Sequence, residues 1–222
     1  MNEVVVTVRG QSETRVLPER GTARVTVSVD GPDRADVVAR VAELASPLRD
    51  DLAARQAAGT IESWASQRTS IWAERPWNAE GKVLDLVHHG SVELAATFTD
   101  FTALSDWLND LAGRDGLHVG SVSWELSPET RARVEREVAV NAVTVAVERA
   151  TAYASAIGRS TVTPLEIADL GLLTQGQQAA APRMYAKAAA ELMDAAGPAG
   201  AVGFQPDEIV VSAAVEARFR AS

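Results

Sequence analysis

The stretch VTVRGQSETRVLPERGTARVTVSV, running from Val6 to Val29, decides the fold class. Towards its end Ala23, Val25, Val27 and Val29 alternate with Thr22, Arg24, Thr26 and Ser28. Successive side chains of a strand point to opposite faces, so this period of two predicts a half-buried strand. Val4, Val6 and Val8 predict an earlier strand in the same way, with Gly10 as its expected end. Pro18 and Gly21 punctuate the crossing between the two.

Working outward, the period changes. Val37, Val41, Leu44, Leu48 and Leu52 recur at three- and four-residue steps, which places one apolar stripe on a helix over about 33–57. Asp33 is its candidate cap, Gly59 closes it, and Pro47 inside it is expected to kink it. Ile61 to Trp72 and Val83 to Phe98 read as strands joined by the loop ERPWNAEGK. A short helix follows, with Asp100 as cap, Phe101, Leu104, Leu108 and Leu111 on one face, and Gly113 at its end. Leu117 to Leu126 is extended. Ser127 as N-cap and Pro128 at the first helical position then open a long helix ending near Gly158. Val134, Val138, Ala142, Val145 and Ala152 are its expected inner face. Thr161 to Leu170 is again extended. The chain closes on a strand with Ile209, Val211, Ala213, Val215, Ala217 and Phe219 on one face.

The order is β-β-α-β-β-α-β-α-β-β. Strict βαβ alternation is absent, which argues against a doubly wound parallel sheet. The expected class is α+β, a mostly antiparallel sheet or sheets with long helices packed on one face. The 222 residues suit a single domain over 1–222, with the Ala-, Gly- and Gln-rich stretch at 175–205 as a flexible or partner-contacting insertion.

Charge and composition exclude several functions. Lys and Arg number 21 against 30 Asp and Glu, a net charge of −9, with no basic run to displace counterions from phosphates, so nucleic acid is not an expected partner. No window approaches the roughly 20 apolar residues of a membrane helix. The N-terminus MNEVVVTVRG lacks the basic and apolar regions of a signal peptide, so the expectation is a cytoplasmic protein, the alternative being one whose export signal has been removed. Without cysteine there is no disulfide, thiol nucleophile or thiolate metal site.

No constellation specifies a reaction. His88 and His89 are neighbours on a strand and face opposite ways, and His118 lies on another strand, so no metal site is expected. Asp106 with Asp110, and Glu135 beside Arg131 and Arg136, fall at helical spacing and read as solvated faces. GRDG and GPAGAVG read as turns rather than phosphate loops. No catalytic, cofactor-binding or metal-binding residue is assigned. The aromatic residues carry more information. Trp64 and Trp72 have the same parity on one predicted strand and are expected to share a face, with Trp77 in the following loop. Together with Met184, Tyr185 and Met193 of the 175–205 stretch they form the expected interaction surface.

The ordered set of elements resembles the SIMPL domain family, named for an animal protein that associates with a kinase and widespread in bacteria. The resemblance is carried by the opening stretch with Pro18-Glu19, by HHGSVELAATFTDFTALSDWLNDL, by VGSVSWELSPE, by AVERATAYASAIG and by PDEIVVSAAVEARF. Within AVERATAYASAIG, Ala146, Arg149, Ala150, Ala154 and Gly158 match the family's spacing. A Gly-Tyr pair frequent in the family before its central strand is replaced here by LVHHGS. The resemblance implies an α+β fold, ring- or channel-like homo-oligomers in some members, and a loose link to envelope or oxidative-stress physiology. It implies no catalytic residues. The functional expectation is a non-enzymatic, self-associating scaffold or interaction module, a homo-oligomer open to a protein partner. The alternatives are a small-molecule binding module, with a pocket between sheet and helices lined by Trp64, Trp72 and alanines, and an uncharacterised enzyme.

Overall fold

A computed structural model describes residues 4–173 and 204–222 of the chain. Among these residues, seven strands and three helices appear in the expected order: β1 (Val4–Val16), β2 (Arg20–Gly31), α1 (Arg34–Ala57), β3 (Ser63–Glu74), β4 (Val87–Phe98), α2 (Phe101–Ala112), β5 (Leu117–Glu125), α3 (Pro128–Ala156), β6 (Val162–Asp169) and β7 (Ile209–Ala221). All strand pairs are antiparallel, in a three-stranded sheet β1-β7-β6 and a four-stranded sheet β3-β4-β2-β5. The class is α+β, as the order of elements predicts.

The opening stretch departs from expectation in one respect. β1 does not end at Gly10 but pairs with β7 without interruption from Val4↔Ala221 to Val16↔Ile209. β2 belongs to the other sheet. The crossing is therefore only Leu17, Pro18 and Glu19, without a glycine, asparagine or aspartate to supply the positive φ that a short hairpin loop needs. The amide of Glu19 already donates to the Glu125 carbonyl, so the chain is committed to the second sheet before β2 begins.

The elements group into two compact units. The first holds β1, α3, β6 and β7. Its core is small: Ala142, Ala146, Ala150 and Ala154 of α3 lie against Val6, Val8, Val215, Ala217 and Phe219. The buried face of α3 recurs at four-residue spacing, Val134 and Val138 and then an alanine row from Ala142 to Ala154; Val134, Val138 and Ala142 are where the sequence predicts them, while Val145 and Ala152 are not on that face. Gly10 explains the choice of residue size. A Cβ at Gly10 would overlap the carbonyl oxygen of Ala142 and stand 2.8 Å from the Ala146 nitrogen. The helix backbone rests directly on the strand there, which only a glycine allows.

The same unit explains the rest of the AVERATAYASAIG signature. The Arg149 guanidinium donates to the Arg9 carbonyl at 2.8 Å. Gly158, at φ +74°, ends α3; its own amide reaches Ser155 and the Arg159 amide reaches Ala154, the paired bonds of a Schellman stop.

The second unit holds β2 to β5 with α1 and α2. Its core is built of large side chains. Leu48 and Leu52 of α1 and Leu104, Trp107, Leu108 and Leu111 of α2 pack on Val25, Val27, Leu94 and Phe98 of the sheet. Each such side chain contributes about 1.5–3 kcal/mol on burial. Trp107 is fully buried, tilts against Phe98 at 5.4 Å, and donates its indole N–H to Asp51 at 3.1 Å. Asp33 caps α1, accepting from the amides of Ala35 and Asp36, and Asp100 caps α2 in the same way. Pro47 sits on the exposed side of α1, which runs unbroken through it. The carbonyl that loses its helical partner, that of Glu43, therefore lies on the solvent side. Both helices cover one face of the sheet, leaving the face of Thr22, Arg24, Thr26 and Ser28 open.

Candidate functional site

The open face of the four-stranded sheet is assembled by register. Thr22 stands opposite Thr97, Thr26 opposite Glu93 and Ser28 opposite Ser91. On the other flank of β4, Arg68 stands opposite Glu93, Ser70 opposite Ser91 and Trp72 opposite His89. These residues form a polar comb at period two, bounded at one end by an indole. The hydroxyls of Thr22 and Thr97 are 3.0 Å apart. Arg24 donates to Ser123 at 3.0 Å and lies 3.8 Å from the Glu93 carboxylate. A shallow groove of about 680 Å³ crosses this face, lined by side chains of Thr26, Arg68, Ser70, Trp72, Ser91 and Glu93.

The two tryptophans of β3 do not share a face. Their parity is broken by a bulge: Ser66 pairs with Leu94 and Arg68 with Glu93, leaving Gln67 as the extra residue. Trp64 therefore points to the core side and packs against the large cluster, while Trp72 points to the open face and is 48% exposed. A pocket lined jointly by Trp64 and Trp72 between sheet and helices is excluded by this register; the groove lies on the opposite side of the sheet.

Beside Trp72 stands a cluster that periodicity alone did not reveal. The His89 ring stacks on the Trp72 indole, centroids 5.0 Å apart and planes 18° from parallel. Its Nδ1 lies 2.6 Å from an Asp30 carboxylate oxygen and its Nε2 lies 3.5 Å from Glu74. The side chain is only 16% exposed, so His89 is a held residue rather than a solvated one. The two carboxylates approach opposite nitrogens of one ring and do not converge on a common point, and no metal-binding group of three or more ligands occurs among the described residues. The only sequence signals for this cluster were the outward parity of Asp30, Glu74 and His89 on their strands.

Trp77 lies apart, in the connection between β3 and β4. A bridge pairs Trp77 with Val83, and the Asn78 side chain accepts from the amides of Glu80 and Lys82, so the tip is a closed turn. Trp77 is 70% exposed, and Val83, Leu84 and Leu86 are exposed with it. β4 accordingly starts at Val87, later than the apolar run from Val83 suggests. Met184, Tyr185 and Met193 lie outside the described residues, as does GPAGAVG. Arg131 and Glu135 form an exposed ion pair on α3, and GRDG is the turn between α2 and β5.

The model of the SIMPL family, described as a protein of unknown function (DUF541), matches residues 6–219. The chain belongs to the SIMPL family. The match spans elements of both compact units, from β1 to β7. No curated protein matches the chain. Among the described residues of this SIMPL chain, no helix is long and apolar enough to cross a membrane.

Proposed function

We propose that this SIMPL protein is a non-enzymatic, self-associating interaction module, and that a second copy docks on the β3–β4 hairpin. The observation that carries the reading is the exposed indole of Trp77 on an ordered turn, flanked by exposed Val83, Leu84 and Leu86. Contiguous apolar surface on a closed turn, with polar residues around it, marks a contact surface. β3 is an edge strand of its sheet, so one hairpin offers both unpaired backbone groups and an apolar anchor. Charge favours a second copy over another class of partner. The hairpin carries Glu74, Glu80 and Asp85 against Arg75 and Lys82, a mixed surface that is self-complementary in an antiparallel, two-fold contact.

The test is the solution mass of the full chain by light scattering, over a range of concentrations. The expected result is a discrete oligomer that becomes monomeric in the double variant Trp77→Ser, Leu84→Ser, with unchanged circular dichroism. A monomeric parent chain would sink the reading. An oligomer that survives the double variant but is lost on deleting residues 176–203 would move the contact to that segment. The alternative of small-molecule binding is favoured by the groove on the open sheet face.

A further inference from the structure

Among the described residues, four strands lie at a sheet edge: β1 and β6 in one sheet, β3 and β5 in the other. An edge strand offers unpaired backbone groups to any other strand, and proteins blunt it with bulges, proline or short length. Three of the four are blunted. β3 carries the bulge at Gln67. β5 slips register against β2 between Val119 and Val122. β6 has only eight residues, with Pro164 among them and a register shift just beyond it. β1 has none of these devices. It is 13 residues long, contains no proline, and keeps one register with β7 from end to end.

The side chains of β1 say what fits its free edge. Val5, Thr7, Arg9, Gln11, Glu13 and Arg15 are exposed on one face, while Val6, Val8 and Gly10 lie under α3 on the other. When two copies of β1 pair antiparallel about a two-fold axis normal to the sheet, each residue stands opposite one of its own parity. With the axis at Gln11, Arg9 of each copy stands opposite Glu13 of the other, and the inner faces set Val6 against Val16 and Val8 against Thr14. With the axis at Gly10, Arg9 meets Gln11 and Glu13 meets Thr7. With the axis at Ser12, Arg9 meets Arg15. Opposite charges across a strand pair stabilise it and like charges destabilise it, so one register is selected. Glu13 has no ion-pair partner among the described residues, and Arg9 is half exposed beside Glu216 at 3.4 Å. The Arg149 guanidinium reaches the Arg9 carbonyl from α3, and that oxygen keeps a second lone pair for a ladder bond.

We propose that β1 pairs antiparallel with β1 of a second copy, centred on Gln11, joining two three-stranded sheets into one of six strands. The charge pattern selects a second copy over an unrelated extended peptide, whose charges have no fixed relation to Arg9 and Glu13. This contact shares the self-association of the reading above but not its hairpin, which belongs to the other unit. One pair of edge strands buries less than a stable interface needs, so free chains join and part here, and the contact is trapped rather than weighed.

The chain has no cysteine, so a single introduced thiol reads a single position. Gln11→Cys sets two thiols directly opposite, with Cβ atoms about 4.5–5.5 Å apart, near disulfide distance. Thr7→Cys leaves its two thiols about 26 Å apart in the same register. The test is disulfide formation between full chains in a glutathione buffer, read by non-reducing electrophoresis. Gln11→Cys is expected to cross-link about tenfold faster than Thr7→Cys. Adding Glu13→Lys is expected to slow the Gln11→Cys reaction about fivefold, and molar sodium chloride to narrow that gap. Adding Trp77→Ser and Leu84→Ser is expected to leave the rate unchanged. Equal rates for Gln11→Cys and Thr7→Cys overturn the proposal. So does indifference to Glu13→Lys, or loss of cross-linking in the Trp77→Ser, Leu84→Ser chain. A parent chain that is monomeric by light scattering sinks the hairpin contact alone, because the disulfide traps an encounter too brief to raise the mass.

Discussion

The two units solve one problem, a helix on an antiparallel sheet, with opposite choices of residue. In the unit of β1, β6 and β7, α3 from Ala142 onward brings a row of alanines to the sheet and one strand answers with Gly10. Contact there is backbone against backbone. In the unit of β2 to β5, α1 and α2 bring leucines and Trp107, which interdigitate with valines and Phe98. Close approach leaves nothing to rotate away when volume is added. Interdigitated large side chains leave a cavity when volume is removed. The first unit should therefore be sensitive to enlargement and the second to truncation.

Truncation of the second core is expected to give the largest effect. Trp107→Ala removes a fully buried indole, its contact with Phe98 and its hydrogen bond to Asp51. A loss of about 3–5 kcal/mol in urea-unfolding free energy is expected. Trp107→Phe should cost clearly less, because Asp51 keeps its 2.8 Å pair with Arg55. Equal losses would mean that the Asp51 hydrogen bond, not the ring volume, holds α2.

Enlargement of the first core comes next. Gly10→Ala is expected to cost about 1–3 kcal/mol, near the upper end because the atoms in the way are backbone. Amides of β1 and β7 should exchange faster in hydrogen-exchange measurements, with those of β2 and β4 little changed. Gly90→Ala is the matched control in the other unit. Its Cβ would stand 2.8 Å from methyl groups of Val37 and Val41, side chains that can shift. The contrast fails if Gly90→Ala is as damaging as Gly10→Ala.

The same contrast explains what the sequence disclosed. Large-residue packing leaves a strong periodic trace, so the stripe from Val37 to Leu52 and the face from Leu104 to Leu111 were legible, caps included. Close packing leaves a weak one. Valine outweighs alanine on any hydrophobic scale, so Val145 attracted attention that belonged to Ala146, Ala150 and Ala154. Gly10 looked like a strand end because glycine usually punctuates; its role depends on a helix far along the chain. The pairing of β1 with β7 joins the two ends of the sequence, which no local pattern encodes. On the candidate site, one inserted residue at Gln67 reversed the parity that placed Trp64 beside Trp72. The cluster of Asp30, Glu74 and His89 draws one residue from each of three strands, and only their register unites them.

The smallest expected effect separates two ways of starting a helix, one in each unit. Asp33 of α1 is a charged cap that accepts from two amides, at 2.7 and 3.1 Å. Ser127 of α3 is a neutral cap that accepts from Thr130 at 3.2 Å, with Pro128 already preorganised at the next position. Replacing either by alanine is expected to cost about 1 kcal/mol, with Asp33→Ala the larger. The reason lies in the charge, which also interacts with the positive end of the helix dipole. That part is screened by salt. In molar sodium chloride the cost of Asp33→Ala should fall by a few tenths of a kcal/mol, while that of Ser127→Ala stays constant. Equal salt dependence in the two variants would remove the dipole from the account and leave hydrogen bonding alone to explain why the chain spends an aspartate at one helix start and a serine at the other.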